Sequence, residues 1–91
     1  DTNYSVQSGR EYSLWGALTF TVTLPPSPNV GESIVFHNGW NNWNAGTVTI
    51  ARGNLSHTIN GLAENVLVDS NAMRKLTFTY ISTNIWVVSA G

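Results

Sequence analysis

The residues able to do chemistry in this chain are few and spread out. Its five acids, Asp1, Glu11, Glu32, Glu64 and Asp69, fall one to a segment. Hydrolysis by paired carboxylates needs two that converge, and no motif here brings two together. Serine, histidine and aspartate are all present, but no serine stands in a recognisable nucleophile elbow. His37 and His57 match no zinc spacing, and no local acidic cluster joins them. The expectation is that His37 ends a strand at the mouth of a loop and that His57 lies on the polar face of a strand. Asp69-Ser70-Asn71 is too short for a calcium loop and reads as a turn. This inventory predicts no catalytic residue, no metal and no cofactor.

Binding chemistry is better represented. The stretch Asn38 to Gly46, NGWNNWNAG, places Trp40 and Trp43 among Asn38, Asn41, Asn42 and Asn44. A flat indole can stack on the C–H face of a pyranose while amides satisfy its hydroxyls, which makes this loop a candidate glycan or partner contact. The simpler account is that the rings cover a thin core or pack on a neighbouring chain, since large aromatics bury much area in a small domain. Asn3-Tyr4-Ser5 and Asn54-Leu55-Ser56 are formal glycosylation sequons, of a kind that arises often by chance in a chain rich in Asn and Ser.

The elements that must position these residues read as strands. Leu18, Phe20, Val22 and Leu24 alternate with Thr19, Thr21 and Thr23, the period-two pattern of a strand with one buried face. Pro25, Pro26 and Pro28 stop its pairing because proline has no N–H for a ladder. Val30 is expected to tuck inward, and Gly31 supplies a permissive backbone before Ser33–His37. That run is apolar enough to be central and covered on both sides. Thr47–Ala51 points Val48 and Ile50 inward, and Ser56–Asn60 carries Ile59. Asn60-Gly61 is the strongest hairpin signal in the chain. Glu64–Asp69 sets Val66 and Val68 opposite Leu67, and Lys75–Ile81 sets Leu76, Phe78 and Tyr80 opposite Thr77 and Thr79. Ser82-Thr83-Asn84 turns into Ile85–Val88, which bears Trp86. Trp15 and Trp86 are expected in the core or an interface. Tyr4 and Val6 mark a weaker strand, Ser8-Gly9 a turn, and Glu11–Trp15 another strand. No window has a convincing helical period. The fold class expected is all-β, a compact antiparallel sandwich or small barrel of about eight or nine short strands with essentially no helix.

Composition agrees. Ninety-one residues suit one domain, read here as a lead-in over residues 1–17 and a core module over 18–91. Charged residues make up 10%, against a usual share of about 25%, so part of the surface is expected to be covered by other chains. Four scattered basic residues, Arg10, Arg52, Arg74 and Lys75, cannot make a phosphate-binding stripe, which excludes nucleic acid as a partner. There are no cysteines, so disulfides and thiolate metal sites are excluded. No apolar run reaches membrane-spanning length. With neither an initiating Met nor a signal peptide, the chain is expected to be a piece of a longer protein.

One arrangement of motifs is more specific. A Thr-rich strand, Thr19–Leu24, ends at Pro25, and the corner Pro28-Asn29-Val30-Gly31-Glu32 follows. Then come the apolar strand Ile34–Phe36, the loop from Gly39-Trp40, the strand Val48-Thr49-Ile50, the turn Ile59-Asn60-Gly61, and Leu76–Tyr80 with Trp86-Val87-Val88. In order and spacing this resembles the small β modules of bacteriophage tail fibres, tailspikes and baseplate-wedge proteins. The resemblance covers about Thr19 to Val88 and leaves out the stretch before Leu18. A Trp in the Gly39–Gly46 loop is ordinary for that family, and Trp43 is a departure. The resemblance implies an antiparallel, non-enzymatic module built into a homotrimer, part of the virion and exposed to the extracellular medium. Its partners would be other phage tail proteins. The rival expectation is a receptor-binding tip that grips a bacterial surface polysaccharide through Trp40 and Trp43. More distant rivals are a carbohydrate-binding module attached to an enzyme, and an enzyme in its own right.

Overall fold

The computed structural model describes residues 4–13, 20–37, 48–68 and 75–90. Among them lie nine strands and no helix. Strands β1 (Tyr4–Ser5), β3 (Phe20–Thr23), β5 (Val48–Ala51) and β7 (Val66–Val68) form sheet A, in the order β1-β3-β5-β7. Strands β2 (Glu11–Ser13), β4 (Ser33–His37), β8 (Lys75–Ser82), β9 (Ile85–Ala90) and β6 (Thr58–Ile59) form sheet B, in the order β2-β4-β8-β9-β6.

The two sheets share one core. Sheet A supplies Val22, Val48, Ile50 and Val68, and Leu24 just beyond β3 joins them. Sheet B supplies Ile34, Phe36, Ile59, Leu76, Phe78, Tyr80 and Trp86. The expected alternations hold: Thr21 and Thr23 stand opposite Val22, and Thr77 and Thr79 opposite Phe78, half-buried against buried. Val6, next to β1, is buried in the same core, so residues 4–13 contribute both strands and core.

The antiparallel expectation is corrected. Four of the seven strand pairings are parallel, namely β1 with β3, β3 with β5, β2 with β4, and β6 with β9. Only β4 with β8, β5 with β7, and β8 with β9 run antiparallel. The reason lies in the corners. From β1 to β5 each strand is followed by one in the other sheet, so the chain winds as a coil. Each strand then returns beside the strand two earlier, running in the same direction. Tyr4 lies beside Val22, Val22 beside Ile50, and Glu11 beside Val35. A two-residue hairpin produces antiparallel neighbours, whereas parallel strands need a crossover, and here the crossover is a strand of the opposite sheet.

The proline corner between β3 and β4 is tied by several hydrogen bonds. The Leu24 N–H donates to Ala51 O at 2.9 Å, and the chain then leaves sheet A. Asn29 and Glu32 clip the corner reciprocally. The Asn29 N–H donates to Glu32 Oε1 at 2.7 Å, and the Glu32 N–H donates to Asn29 O at 3.1 Å. Gly31 turns at φ +97°, a left-handed value that glycine adopts without Cβ strain, and its N–H reaches Tyr80 O at 2.8 Å. Val30 at the tip of this clip faces solvent, 62% exposed. The inward expectation for Val30 fails because the reciprocal Asn29–Glu32 bonds close a turn that presents Val30 to solvent. β4 is internal to its sheet, but only Ile34 and Phe36 are buried, and Ser33, Val35 and His37 remain half-buried. It is therefore covered fully on one face rather than two.

The Asn60-Gly61 turn behaves as its sequence predicts. Both residues have positive φ, +53° and +82°, and Ile59 and Leu62 exchange backbone hydrogen bonds across it. Positive φ at both central positions is what a type I′ hairpin requires. Asn84 also adopts positive φ, +65°, in the β8–β9 turn, and one extra residue of β8 is accommodated between Tyr80 and Ser82.

Candidate functional site

Trp40, Trp43, Asn38, Asn41, Asn42 and Asn44 lie outside the described residues, as does Trp15. The structure places the two strand ends that flank their loop. His37 is the last residue of β4 in sheet B, and Val48 is the first of β5 in sheet A. Ser13, His37 and Lys75 stand side by side across β2, β4 and β8. The mouth that the sequence predicted for His37 is thus a polar row at one end of sheet B. His37 Nε2 and Glu11 Oε1 approach to 2.7 Å on the outer face, with both side chains exposed. Such a pair in solvent orients the side chains and adds little stability, because water screens it.

His57 departs from its expected place. It is 2% exposed, the sole buried residue of charged or polar type among the described residues. Its ring lies 5.2 Å from that of Tyr80, which in turn meets Trp86 edge-on at 5.2 Å. The Trp86 Nε1–H donates to His57 Nδ1 at 3.3 Å. An indole can only donate, so Nδ1 must be an acceptor and the neutral ring carries its hydrogen on Nε2. Burial strips water from the imidazole and lowers its pKa below the ordinary 6.5.

Local chemistry explains how a histidine comes to be there. Asn54 Oδ1 accepts the Ser56 N–H at 2.9 Å and Asn54 O accepts the His57 N–H at 2.9 Å, closing a turn ahead of β6. The Arg52 guanidinium donates to Leu55 O at 3.4 Å and to His57 O at 3.3 Å. Its Nε donates to Asn65 Oδ1 at 3.3 Å, so one side chain ties both ends of the 52–65 segment. The sequence did carry a signal. Ile59 is the apolar residue of that strand, and period two puts His57 on the same face. Residue type argued for the polar face, and the register prevails because Trp86 offers the imidazole a donor inside the core.

Among the described residues no three of His, Cys, Asp and Glu converge on a point where a metal could sit. His37 and His57 do not come together: His37 pairs with Glu11 at the outer face, while His57 is in the core with Trp86. The second contrast is in charge. The strands of sheet A contain no Asp, Glu, Lys, Arg or His, whereas Glu11, His37 and Lys75 all belong to sheet B. The outer face of sheet A is a rung of Thr21, Thr49 and Leu67 beside a second rung of Ser5, Thr23 and Ala51. Leu67 is 56% exposed on it. Composition hinted at this low charge, but nothing in the sequence assigned it to one sheet. Compared with known protein families and with curated proteins, the sequence matches none.

Proposed function

We propose that this chain is a non-catalytic structural and assembly module of a phage tail fibre, tailspike or baseplate protein, working as a homotrimer and docking other tail components. The observation that carries the reading is the uncharged outer face of sheet A, with Leu67 standing exposed among Thr21, Thr49 and Ala51. Charged residues are depleted from the cores of protein interfaces, because burying them requires desolvation. A face without charge also places no like charges together when identical copies meet around an axis. The motif order from Thr19 to Val88 supports the phage assignment, and the two-sheet all-β fold is compatible with it.

Solution mass at several protein concentrations tests the reading directly. A mass of three chains in the wild type, reduced to one chain in Leu67→Lys with the fold retained by circular dichroism, is the expected result. A trimer insensitive to Leu67→Lys and Thr49→Lys would move the interface off sheet A. A monomer at every concentration that binds host polysaccharide, and loses that binding in Trp40→Ala or Trp43→Ala, would replace assembly with receptor recognition.

A further inference from the structure

The 52–65 segment meets the proline corner at Gly53 and Asn54, whose Nδ2 donates to Pro26 O at 3.4 Å, and meets β9 through β6, where one contact can be switched. β6 contributes two residues to sheet B, pairing Thr58 with Ile85 and Ile59 with Trp86. Beyond that ladder, the Asn60 N–H donates to Trp86 O and the Val88 N–H donates to Asn60 Oδ1, each at 2.9 Å. The segment also carries Leu55 and Leu62, 79% and 56% exposed, which add little burial to hold it down. Its deepest anchors are Ile59 and His57, at 3% and 2% exposure, and His57 alone can change charge.

We propose that His57 is an acid-sensitive latch: the neutral imidazole holds the 52–65 segment on the β9 edge of sheet B through Trp86, and protonation releases it. The geometry dictates the direction. Once protonated, both ring nitrogens are donors, and Nδ1–H would face the donor-only indole N–H 3.3 Å away. Among the described residues, the groups packed on the ring supply no anion to offset the cation. From β8 comes the Tyr80 ring, whose hydroxyl accepts the Asn84 N–H, and from β9 comes the uncharged Trp86. From the segment itself comes the Arg52 guanidinium, already a cation, bound to the His57 carbonyl. Among the described residues no carboxylate bonds to the ring, the one ion pair of a histidine being that of His37 with Glu11. Release would uncover Trp86 and free the outer edge of β9 to pair with another strand. This inference stands apart from the assembly reading, since it concerns one chain alone.

The sign of the effect follows from linkage. His57 binds its proton more weakly in the closed segment than in the open one, so closure is fully favoured above the ordinary histidine pKa. It is lost as pH falls below about 6.5, by at most about tenfold in the closing constant per pH unit. The test is amide hydrogen exchange on the intact chain at pH 7.5 and 5.5, corrected for intrinsic rates, in a range where exposed carboxylates stay ionised. Acidification is expected to lower protection of the Thr58, Asn60 and Val88 amides several-fold and to leave the β4–β8 ladder unchanged. His57→Gln, which can still accept the indole N–H but cannot titrate, should abolish that pH dependence, and His37→Gln should keep it. Should His57→Gln not fold, a proton NMR titration of the His57 ring in the wild type decides. A midpoint below the ordinary 6.5, tracking the loss of Asn60 protection, supports the latch. Equal pH dependence in His57→Gln and wild type, uniform loss across both sheets, or protonation of His57 with Asn60 protection intact would each overturn it.

Discussion

Among the described side chains, sheet A and sheet B line the same core differently. The described core of sheet A is aliphatic, with Val22, Val48, Ile50 and Val68 on the strands and Leu24 beside them. Sheet B supplies the rings: Tyr12 stacks on Phe36 at 6.0 Å, Phe36 meets Phe78 edge-on at 5.6 Å, and Tyr80 meets Trp86. β-Branched aliphatics suit a closely spaced pleated surface and need no polar partner. Large rings leave angular gaps and bring a polar edge inside, which must be satisfied. That difference is why the buried imidazole belongs to the aromatic sheet. The indole N–H of Trp86 needed an acceptor, and His57 provides one.

The comparison can be broken most forcefully at Trp86. Trp86→Ala should cost about 3–5 kcal/mol, because it removes a fully buried ring and orphans His57 Nδ1. A urea unfolding curve measures this, and a loss below about 1 kcal/mol would mean that the aromatic side is not the weightier half of the core. Next comes Gly53→Ala. A Cβ there would lie 1.9 Å from Leu24 O, where the chain leaves β3, so the backbone of sheet A must shift. Destabilisation of about 1–3 kcal/mol or more is expected, and thermal unfolding unchanged from wild type would contradict that close approach. Ile50→Val trims one methylene from the aliphatic side and should cost about 0.5–1.5 kcal/mol. If it cost as much as Trp86→Ala, the contrast between the sheets would collapse. The smallest effect belongs to the exposed pair at the loop mouth. Glu11→Gln should change stability by less than about 1 kcal/mol at neutral pH, read from the same urea midpoint, and a larger change would give that end of sheet B a structural weight that its exposure does not suggest.

Much of the local structure was legible in the chain. Alternation located the inward residues of β3, β5, β7 and β8, because a one-residue slip would turn an entire apolar set to solvent. Asn60-Gly61 announced its turn, since those two residues tolerate the positive φ that the turn demands. The prolines announced the exit from sheet A. Reading stopped where a residue's fate depended on a distant partner. Val30 looked apolar enough to be buried, yet the Asn29–Glu32 clip and the bond from Gly31 to Tyr80 turned it outward. His57 looked polar enough to be exposed, yet Trp86, far along the chain, drew it in. The candidate contacts Trp40 and Trp43, with their asparagines, were legible as a composition, and the structure adds the strand ends that flank them.

The sequence by itself determined that the described chain is all-β, which residues of β3, β5, β7 and β8 face the core, that Asn60-Gly61 turns, and that the chain leaves its sheet at the proline corner. All of these follow from the period of the side chains and the dihedral limits of Pro, Gly and Asn, which act within a few residues. Only the tertiary structure decided that successive strands alternate between two sheets and return in parallel, that the charged residues within described strands all fall in sheet B, and that an imidazole lies under Trp86. Those outcomes depend on which strand lies beside which, and strand pairing is a contest between distant segments that no local pattern records.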